Sequence, residues 1–135
     1  MNKLYLVTII ALGILGGTYL LTGQTSPQAS SELTFSTIRQ NVHNGARLYD
    51  VRTSEEYASG HFDGATNWPI EDITAGKLPD VDKATKLYVY CRSGNRSAQA
   101  ASALKTAGYT NVTDLGGLSE VQAIGGTLMT MDQHS

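Results

Sequence analysis

From residue 34 onward, the chain alternates short β-type runs with segments of helical periodicity, a pattern typical of a parallel sheet covered by helices. Residues 34–44 have the periodicity of a first helix, and residues 46–51 form a predicted strand. Thr53 and Glu56 then have the spacing of a capping box, which predicts a short helix that ends near residue 60. The pattern therefore indicates the α/β class.

The second half of the domain repeats this alternation. Residues 86–90 (KLYVY) form the clearest predicted strand, because the four residues after Lys86 are β-branched, aromatic or aliphatic, and this strand runs directly into Cys91. A turn through residues 92–96 precedes an alanine-rich helix at residues 97–107, which stops at Gly108. The remaining predicted elements are short: a strand at 65–67, a helix at 70–75, a strand at 109–112, a turn at 116–117 and a helix at 118–124.

The amino-terminal segment has the order of an export signal. Residues 4–23 carry no charge and follow Lys3. About 20 such residues would also cross a hydrocarbon core of about 30 Å, so length does not separate a cleaved signal peptide from a membrane anchor. Lys3 predicts that this end stays in the cytoplasm and that the rest is exported. We therefore expect a signal peptide or membrane anchor at 1–23, a polar linker at 24–33 and a domain at 34–133. The domain is expected in the periplasm, attached to the membrane only if the amino-terminal segment is not cleaved.

Composition and charge exclude several function classes. The 135 residues include 10 basic and 12 acidic side chains, a formal net charge of −2. Nucleic-acid binding depends on neutralising many phosphates, so a mildly acidic domain without a basic run is a poor candidate for it. The single cysteine excludes a disulfide scaffold. No ligand spacing predicts a metal site, and we expect no cofactor and a monomeric protein.

Cys91 is the strongest candidate for chemistry. A free cysteine is most often a small buried hydrophobe. Here, however, it stands between a predicted strand and a predicted helix, where the amides of the following residues can turn toward its sulfur. Such a nest of amides binds anions and stabilises a thiolate. The sequence therefore predicts a reactive thiolate in an anion cradle built from Arg92, Ser93, Gly94, Asn95, Arg96 and Ser97.

The length of this loop bears on the substrate. A cysteine-dependent phosphatase or arsenate reductase is expected to show Cys-x5-Arg, which makes a cradle for a tetrahedral oxyanion. Here the spacing is Cys-x4-Arg, and Ser97 stands where the longer loop needs arginine. A shorter ring encloses less volume, enough for one additional sulfur atom on Cys91. The spacing favours sulfur transfer, with phosphatase or arsenate reductase activity as the weaker alternative.

Several ordered motifs resemble a known family. They are LYDVR at 48–52, EY at 56–57, GHFDGATNWP at 60–69, CRSGNR at 91–96, GY at 108–109 and LGGL at 115–118. Together they cover about residues 34–130, and their order is similar to that of the single-domain rhodanese sulfurtransferases. One departure is Val121, where many relatives carry an aromatic residue after the double glycine.

This resemblance implies a rhodanese-like three-layer fold and a two-step covalent mechanism without a cofactor. The Cys91 thiolate attacks the outer sulfur of thiosulfate, and the resulting persulfide passes its sulfur to cyanide or to a thiol acceptor. The loop amides hold the persulfide, while Arg92 and Arg96 attract the dianionic donor. Arg96 is expected to matter more than Arg92 if this arginine, the nearer to the helix, completes the cradle. The alternative for the two arginines is that they are solvated or form an ion pair with Asp50. The alternative for the function of the protein is a module that carries a persulfide without turnover.

Other polar residues lie near the predicted site. Asp50 is expected to buttress the loop or to pair with an arginine rather than to titrate. Arg52 and Glu56 have the four-residue spacing of an ion pair on a helix face. His61 is expected to make a structural hydrogen bond, and Trp68 to pack near the rim of the crevice.

Overall fold

The computed structural model describes residues 32–133. The predicted export segment at 1–23 and most of the predicted linker therefore lie outside the described residues. Across the part that is described, no helix has the length and apolar character needed to cross a membrane. The elements are α1 (Phe35–His43), β1 (Arg47–Asp50), α2 (Ser54–Ser59), β2 (His61–Phe62), β3 (Ala65–Asn67), α3 (Ile70–Thr74), β4 (Leu87–Tyr90), α4 (Asn95–Thr106), β5 (Val112–Asp114), α5 (Leu118–Ala123) and β6 (Leu128–Met129), followed by a 3₁₀ turn at Met131–Gln133.

Four strands form a parallel sheet in the order β3-β1-β4-β5. Asp50 at the end of β1 lies in register with Tyr90 at the end of β4. The residue after Tyr90, Cys91, therefore leaves the sheet beside the end of β1, at the carboxyl edge where open α/β sheets place their functional crevice. A second, small sheet pairs β2 with β6 in antiparallel orientation.

The alternation of side chains along β4 divides the core into two halves, one on each face of the sheet. Leu87 and Val89 pack with residues of α3 and α4, whereas Tyr88 and Tyr90 pack with residues of α1 and α5. Each of these strand residues is 2% exposed or less. The helices thus cover both faces of a mostly parallel sheet, which confirms the predicted three-layer α/β fold. Val121 is fully buried in the second half of the core, so the smaller side chain at that position is well covered.

Two predicted boundaries are wrong. The strand predicted at 109–112 begins only at Val112, because the Tyr109 amide still donates to the Leu104 carbonyl at 3.1 Å and closes the end of α4. Helix α4 begins at Asn95 rather than at residue 97. Gly94 caps it with φ of 96°, a left-handed conformation that favours glycine. Arg96 therefore lies in the first turn of a helix and not in the turn before it.

Candidate active site

The Cys91 thiol lies at the floor of the loop that joins β4 to α4. The residue is 1% exposed, and the Gly94 amide donates to its Sγ at 3.0 Å. Burial alone would raise the pKa of this thiol. The polar groups around the sulfur act in the opposite direction, the Ser97 hydroxyl most strongly, followed by the amides of Ser97, Ser93 and Gly94. Together they outweigh burial and bring the pKa of Cys91 below its ordinary value, so the site favours a thiolate.

A turn that follows β5 supports the loop from the side. The Cys91 amide donates to the Gly116 carbonyl at 3.0 Å, and the Leu118 amide donates to the Arg92 carbonyl at 3.1 Å. The buried Ser97 Oγ lies 3.2 Å from the same Gly116 carbonyl oxygen. The sequence analysis identified this Leu-Gly-Gly segment as part of a family motif and predicted a turn within it. No feature of the sequence indicated that this turn would contact the cysteine loop.

Gly117 in this turn has no room for a side chain. A Cβ built there would lie 2.6 Å from the Arg92 carbonyl oxygen and 2.9 Å from the Ser93 Cα. Its backbone is extended, with φ of −93°, so the restriction comes from the close approach of the loop and not from the glycine conformation. The loop and the turn are therefore packed backbone against backbone.

Arg96 is engaged by a carboxylate from another helix. Its NH1 donates to Glu56 Oε2 at 2.7 Å, and its NH2 donates to Glu56 Oε1 at 2.9 Å. Each of the two side chains is 29% exposed. The hydrogen bond from Arg96 is the main cause that lowers the pKa of Glu56 to about 2. The predicted ion pair between Arg52 and Glu56 is therefore wrong, because Glu56 points from α2 toward α4 instead.

Arg92 has a different environment. The residue is exposed, and its guanidinium takes part in none of the hydrogen bonds or ion pairs found among residues 32–133. Ser93 and Asn95 are also exposed, and the Asn95 Oδ1 accepts from the Gln99 side chain at 3.1 Å. At the mouth of the loop, Arg92 is thus the arginine whose charge is not offset by a carboxylate.

Asp50 takes part in a buried polar network at the carboxyl end of β1. Its partner is Arg52, which reaches both carboxylate oxygens, with an NH2–Oδ2 distance of 2.6 Å. The Tyr90 hydroxyl also donates to Asp50 Oδ2 at 2.8 Å. Burial and the neighbouring carboxylate both raise the pKa of Tyr90. Because Asp50 pairs with Arg52, the alternative in which it pairs with an arginine of the cysteine loop is wrong.

The same polar network also connects the end of β1 to Gly60 and to the neighbouring strand β3. The Arg52 NH2 donates to the Gly60 carbonyl at 2.7 Å, and the Asn67 side-chain amide donates to the carbonyls of Asp50 and Arg52. Sequence reasoning did not identify Asn67 or Tyr90 in this role. Their residue types are ordinary for strands, and only the register of the sheet brings them to Asp50.

His61 and Trp68 lie outside the loop and make structural contacts. The His61 Nδ1 donates to the Tyr57 carbonyl at 3.0 Å, and its ring stacks on the Tyr57 ring with centroids 3.8 Å apart. The Trp68 indole packs against Tyr49 and donates to the Lys77 carbonyl at 2.9 Å. Within residues 32–133, no cluster of three or more histidine, cysteine, aspartate or glutamate side chains could hold a metal ion.

The arrangement is chemically suited to a covalent intermediate. A thiolate is the nucleophilic form of cysteine, and fixed amide donors around it stabilise negative charge without reorganisation during the reaction. The same donors can hold an anionic atom bound to that sulfur.

Comparisons with known proteins agree with this geometry. Residues 34–124 match the model of the Rhodanese-like domain family. Over 75 residues the chain is 39% identical to the thiosulfate sulfurtransferase PspE of Escherichia coli, covering 53% of this chain and 70% of that protein. It is 30% identical over 95 residues to the putative sulfur carrier protein YrkF of Bacillus subtilis, covering 67% of this chain but only 51% of that protein.

Among solved structures, the Alr3790 protein of Anabaena superimposes with a TM-score of 0.60 at 30% identity, covering 74% of this chain and 97% of that one. The residues that match the family model, 34–124, include the cysteine loop. The chain belongs to the rhodanese-like domain family of sulfurtransferases and sulfur carriers.

Proposed function

We propose that the protein is a thiosulfate sulfurtransferase that moves the outer sulfur of thiosulfate to cyanide or to a thiol through a persulfide on Cys91. The observation that carries this proposal is the Gly94 amide directed at Cys91 Sγ at 3.0 Å, in a loop that lowers the pKa of the thiol. The similarity to PspE, named a thiosulfate sulfurtransferase, supports thiosulfate as the donor.

In the first step, the Cys91 thiolate attacks the outer sulfur of thiosulfate. A new S–S bond forms on Cys91, the S–S bond of thiosulfate breaks, and sulfite leaves with the bonding electron pair. The persulfide and sulfite together carry the same charge as the thiolate and thiosulfate, so no proton or oxidant is needed. The loop amides stabilise the negative charge on the outer sulfur of the persulfide.

In the second step, the acceptor takes the outer sulfur and the Cys91 thiolate leaves. Cyanide attacks that sulfur to give thiocyanate, and a thiol attacks it to give a new persulfide. Because the loop stabilises a thiolate as well as a persulfide, the same amides make Cys91 a better leaving group in this step. No cofactor enters the reaction.

The short loop also supports sulfur transfer over phosphate or arsenate chemistry. Arg96, the arginine of the Cys-x4-Arg spacing, is paired with Glu56. It therefore binds a tetrahedral oxyanion less strongly than an unpaired arginine would. We infer that an aryl phosphate or arsenate is not a substrate, and we expect no turnover of either.

The cellular setting remains part of the proposal. Lys3 followed by uncharged residues 4–23 supports export, with the domain in the periplasm, either released by cleavage or anchored in the membrane. Mass measurement of the protein isolated from its host, with separate membrane and periplasmic fractions, tests this. Recovery from the cytoplasm at full length would overturn it. We further propose a monomer, which sedimentation of the protein tests directly.

The activity test compares the protein with its Cys91→Ser variant in thiosulfate and cyanide, with thiocyanate as the measured product. The wild-type protein is expected to release many thiocyanate molecules per chain, and the variant none above the uncatalysed rate. Equal production by both would refute the role of Cys91. One thiocyanate per chain and no more would identify a sulfur carrier without turnover, as the similarity to YrkF would suggest.

A further inference from the structure

The two-step reaction leaves Glu56 without a chemical role, although it bonds to an arginine beside the nucleophile. We propose that Glu56 is a positioning residue that sets the charge of the anion site: it holds Arg96 in a neutral pair, so that Arg92 and the loop amides attract the anionic donor. This inference deepens the proposed function and rests on it for the identity of the donor. The charge of the site, however, can be measured without any sulfur transfer.

The geometry of the pair shows that it is a fixed feature. Each terminal nitrogen of Arg96 donates to a different oxygen of Glu56, at 2.7 and 2.9 Å, which is the strong bidentate arrangement. Glu56 Oε2 also accepts from the Thr53 amide at 3.0 Å in the capping box of α2. The carboxylate is therefore anchored at its own helix and reaches α4 from a defined position.

Burial of the pair determines how well its charges cancel. With 29% of each side chain exposed, the two groups are less screened by water than a surface pair. Glu71 and Cys91 also act electrostatically on Arg96, both favouring its charged form. The positive charge of Arg96 is thus offset from several sides, whereas that of the exposed Arg92 is not. This reverses the order of importance that the sequence suggested for the two arginines.

A substitution can separate the charge from the fold. Glu56→Gln keeps an oxygen acceptor for the Thr53 amide but removes the charge that offsets Arg96. The matched control is Glu55→Gln, which removes the same charge from the neighbouring residue of α2. Glu55 is exposed and makes no hydrogen bond or ion pair among residues 32–133. Glu56→Gln should therefore change the field at Cys91 more than Glu55→Gln does.

The first experiment measures that field by alkylation of Cys91. The rate constant with iodoacetate, an anion, is divided by the rate constant with iodoacetamide, which is neutral, and the quotient reports the local charge. Glu56→Gln is expected to raise this quotient about three- to tenfold, since one unit charge nearby is no longer offset. Glu55→Gln should change it less than about twofold on the same reasoning.

A double variant makes the assignment specific. Adding Arg96→Gln to Glu56→Gln removes both charges together, and the quotient should return to within about twofold of the wild-type value. If Glu56 only supports the loop mechanically, the rate constants with iodoacetate and iodoacetamide will change by the same factor, and the quotient will stay at its wild-type value. That result, or an equal rise in Glu55→Gln, would overturn the proposal.

The second experiment uses the proposed reaction. Glu56→Gln is expected to lower the KM for thiosulfate by about three- to tenfold with kcat changed less than about twofold, while Arg92→Gln raises that KM. A raised KM in Glu56→Gln would mean that the pair presents Arg96 to the donor, and would overturn the proposal. If no protein makes thiocyanate, the proposed function fails, and the alkylation quotient still decides the role of Glu56.

Discussion

Substitution of Gly117 by alanine tests whether the turn after β5 holds the cysteine loop in its working geometry. The added Cβ would lie 2.6 Å from the Arg92 carbonyl oxygen. Ordinary contacts begin near 3.4 Å, so this carbonyl, or the turn itself, must retreat by about 0.8 Å. Because the overlap is between backbone segments, no flexible side chain can relieve it.

The magnitude follows from what that shift disturbs. Overpacking of this kind costs about 1–3 kcal/mol. The Arg92 carbonyl precedes the amides that surround Cys91 Sγ, and a hydrogen bond to a charged group is worth about 1.5–3 kcal/mol. Loss of one such bond in the transition state corresponds to about a ten- to hundredfold slower attack on thiosulfate, at about 1.36 kcal/mol per factor of ten.

The matched control is Gly126→Ala, whose Cβ would meet the Val121 carbonyl oxygen at 2.8 Å and the Phe62 ring at 3.0 Å. This overlap is of similar size, but the atoms it meets belong to Val121 and Phe62 in the second half of the core and not to the cysteine loop. The assay is the rate of persulfide formation on Cys91, followed by mass, with urea unfolding of each variant alongside. Both variants should lose stability, and only Gly117→Ala should lose rate. Equal rates in the two variants would refute the supporting role of the turn.

Three further predictions concern individual side chains. Ser97→Ala removes the buried hydroxyl that helps to lower the pKa of Cys91 and should move the alkylation-rate profile to higher pH, because the pKa of the thiol rises; an unchanged profile would contradict the assignment. Glu56, with a pKa lowered from 4.5 to about 2 in the folded protein, contributes stability that is present above about pH 4.5 and lost as pH falls toward 2. Urea unfolding should therefore show Glu56→Gln less stable by about 1 kcal/mol at pH 7, after allowance for solvent screening, and this difference should shrink as the pH falls from about 4.5 toward 2; a constant difference would exclude this linkage. Tyr90→Phe removes a donor to the buried Asp50 carboxylate, and chemical unfolding should show a loss of about 1.5–3 kcal/mol; no loss would show that Asp50 is satisfied without it.

Local sequence patterns predicted the elements that position the site. The apolar run at 87–90 has the composition of a buried strand, and Thr53 and Glu56 have the spacing of a capping box that the structure contains. Both patterns depend on neighbours within a few residues, so they can be recognised without the fold. The place of Cys91 between a strand and a helix followed from the same local information.

Contacts between distant residues could not be predicted in this way. Arg96 and Glu56 are 40 positions apart, as are Tyr90 and Asp50, and the sequence does not show which charge meets which. The four-residue spacing instead suggested that Glu56 pairs with Arg52, but the fold brings Glu56 of α2 to Arg96 of α4. The two-residue strands β2 and β6 are likewise too short to show a period, and they exist only because the fold brings them together.

The most direct measurement weighs the intact protein after incubation with thiosulfate and removal of the excess, beside the Cys91→Ser variant treated in the same way. With a single cysteine in the chain, any sulfur carried as persulfide must be on Cys91. We expect a gain of about 32 Da, one sulfur atom, in the wild-type protein, none in the variant, and loss of that mass on addition of cyanide. An unchanged wild-type mass, or the same gain in both proteins, would contradict sulfur transfer through Cys91.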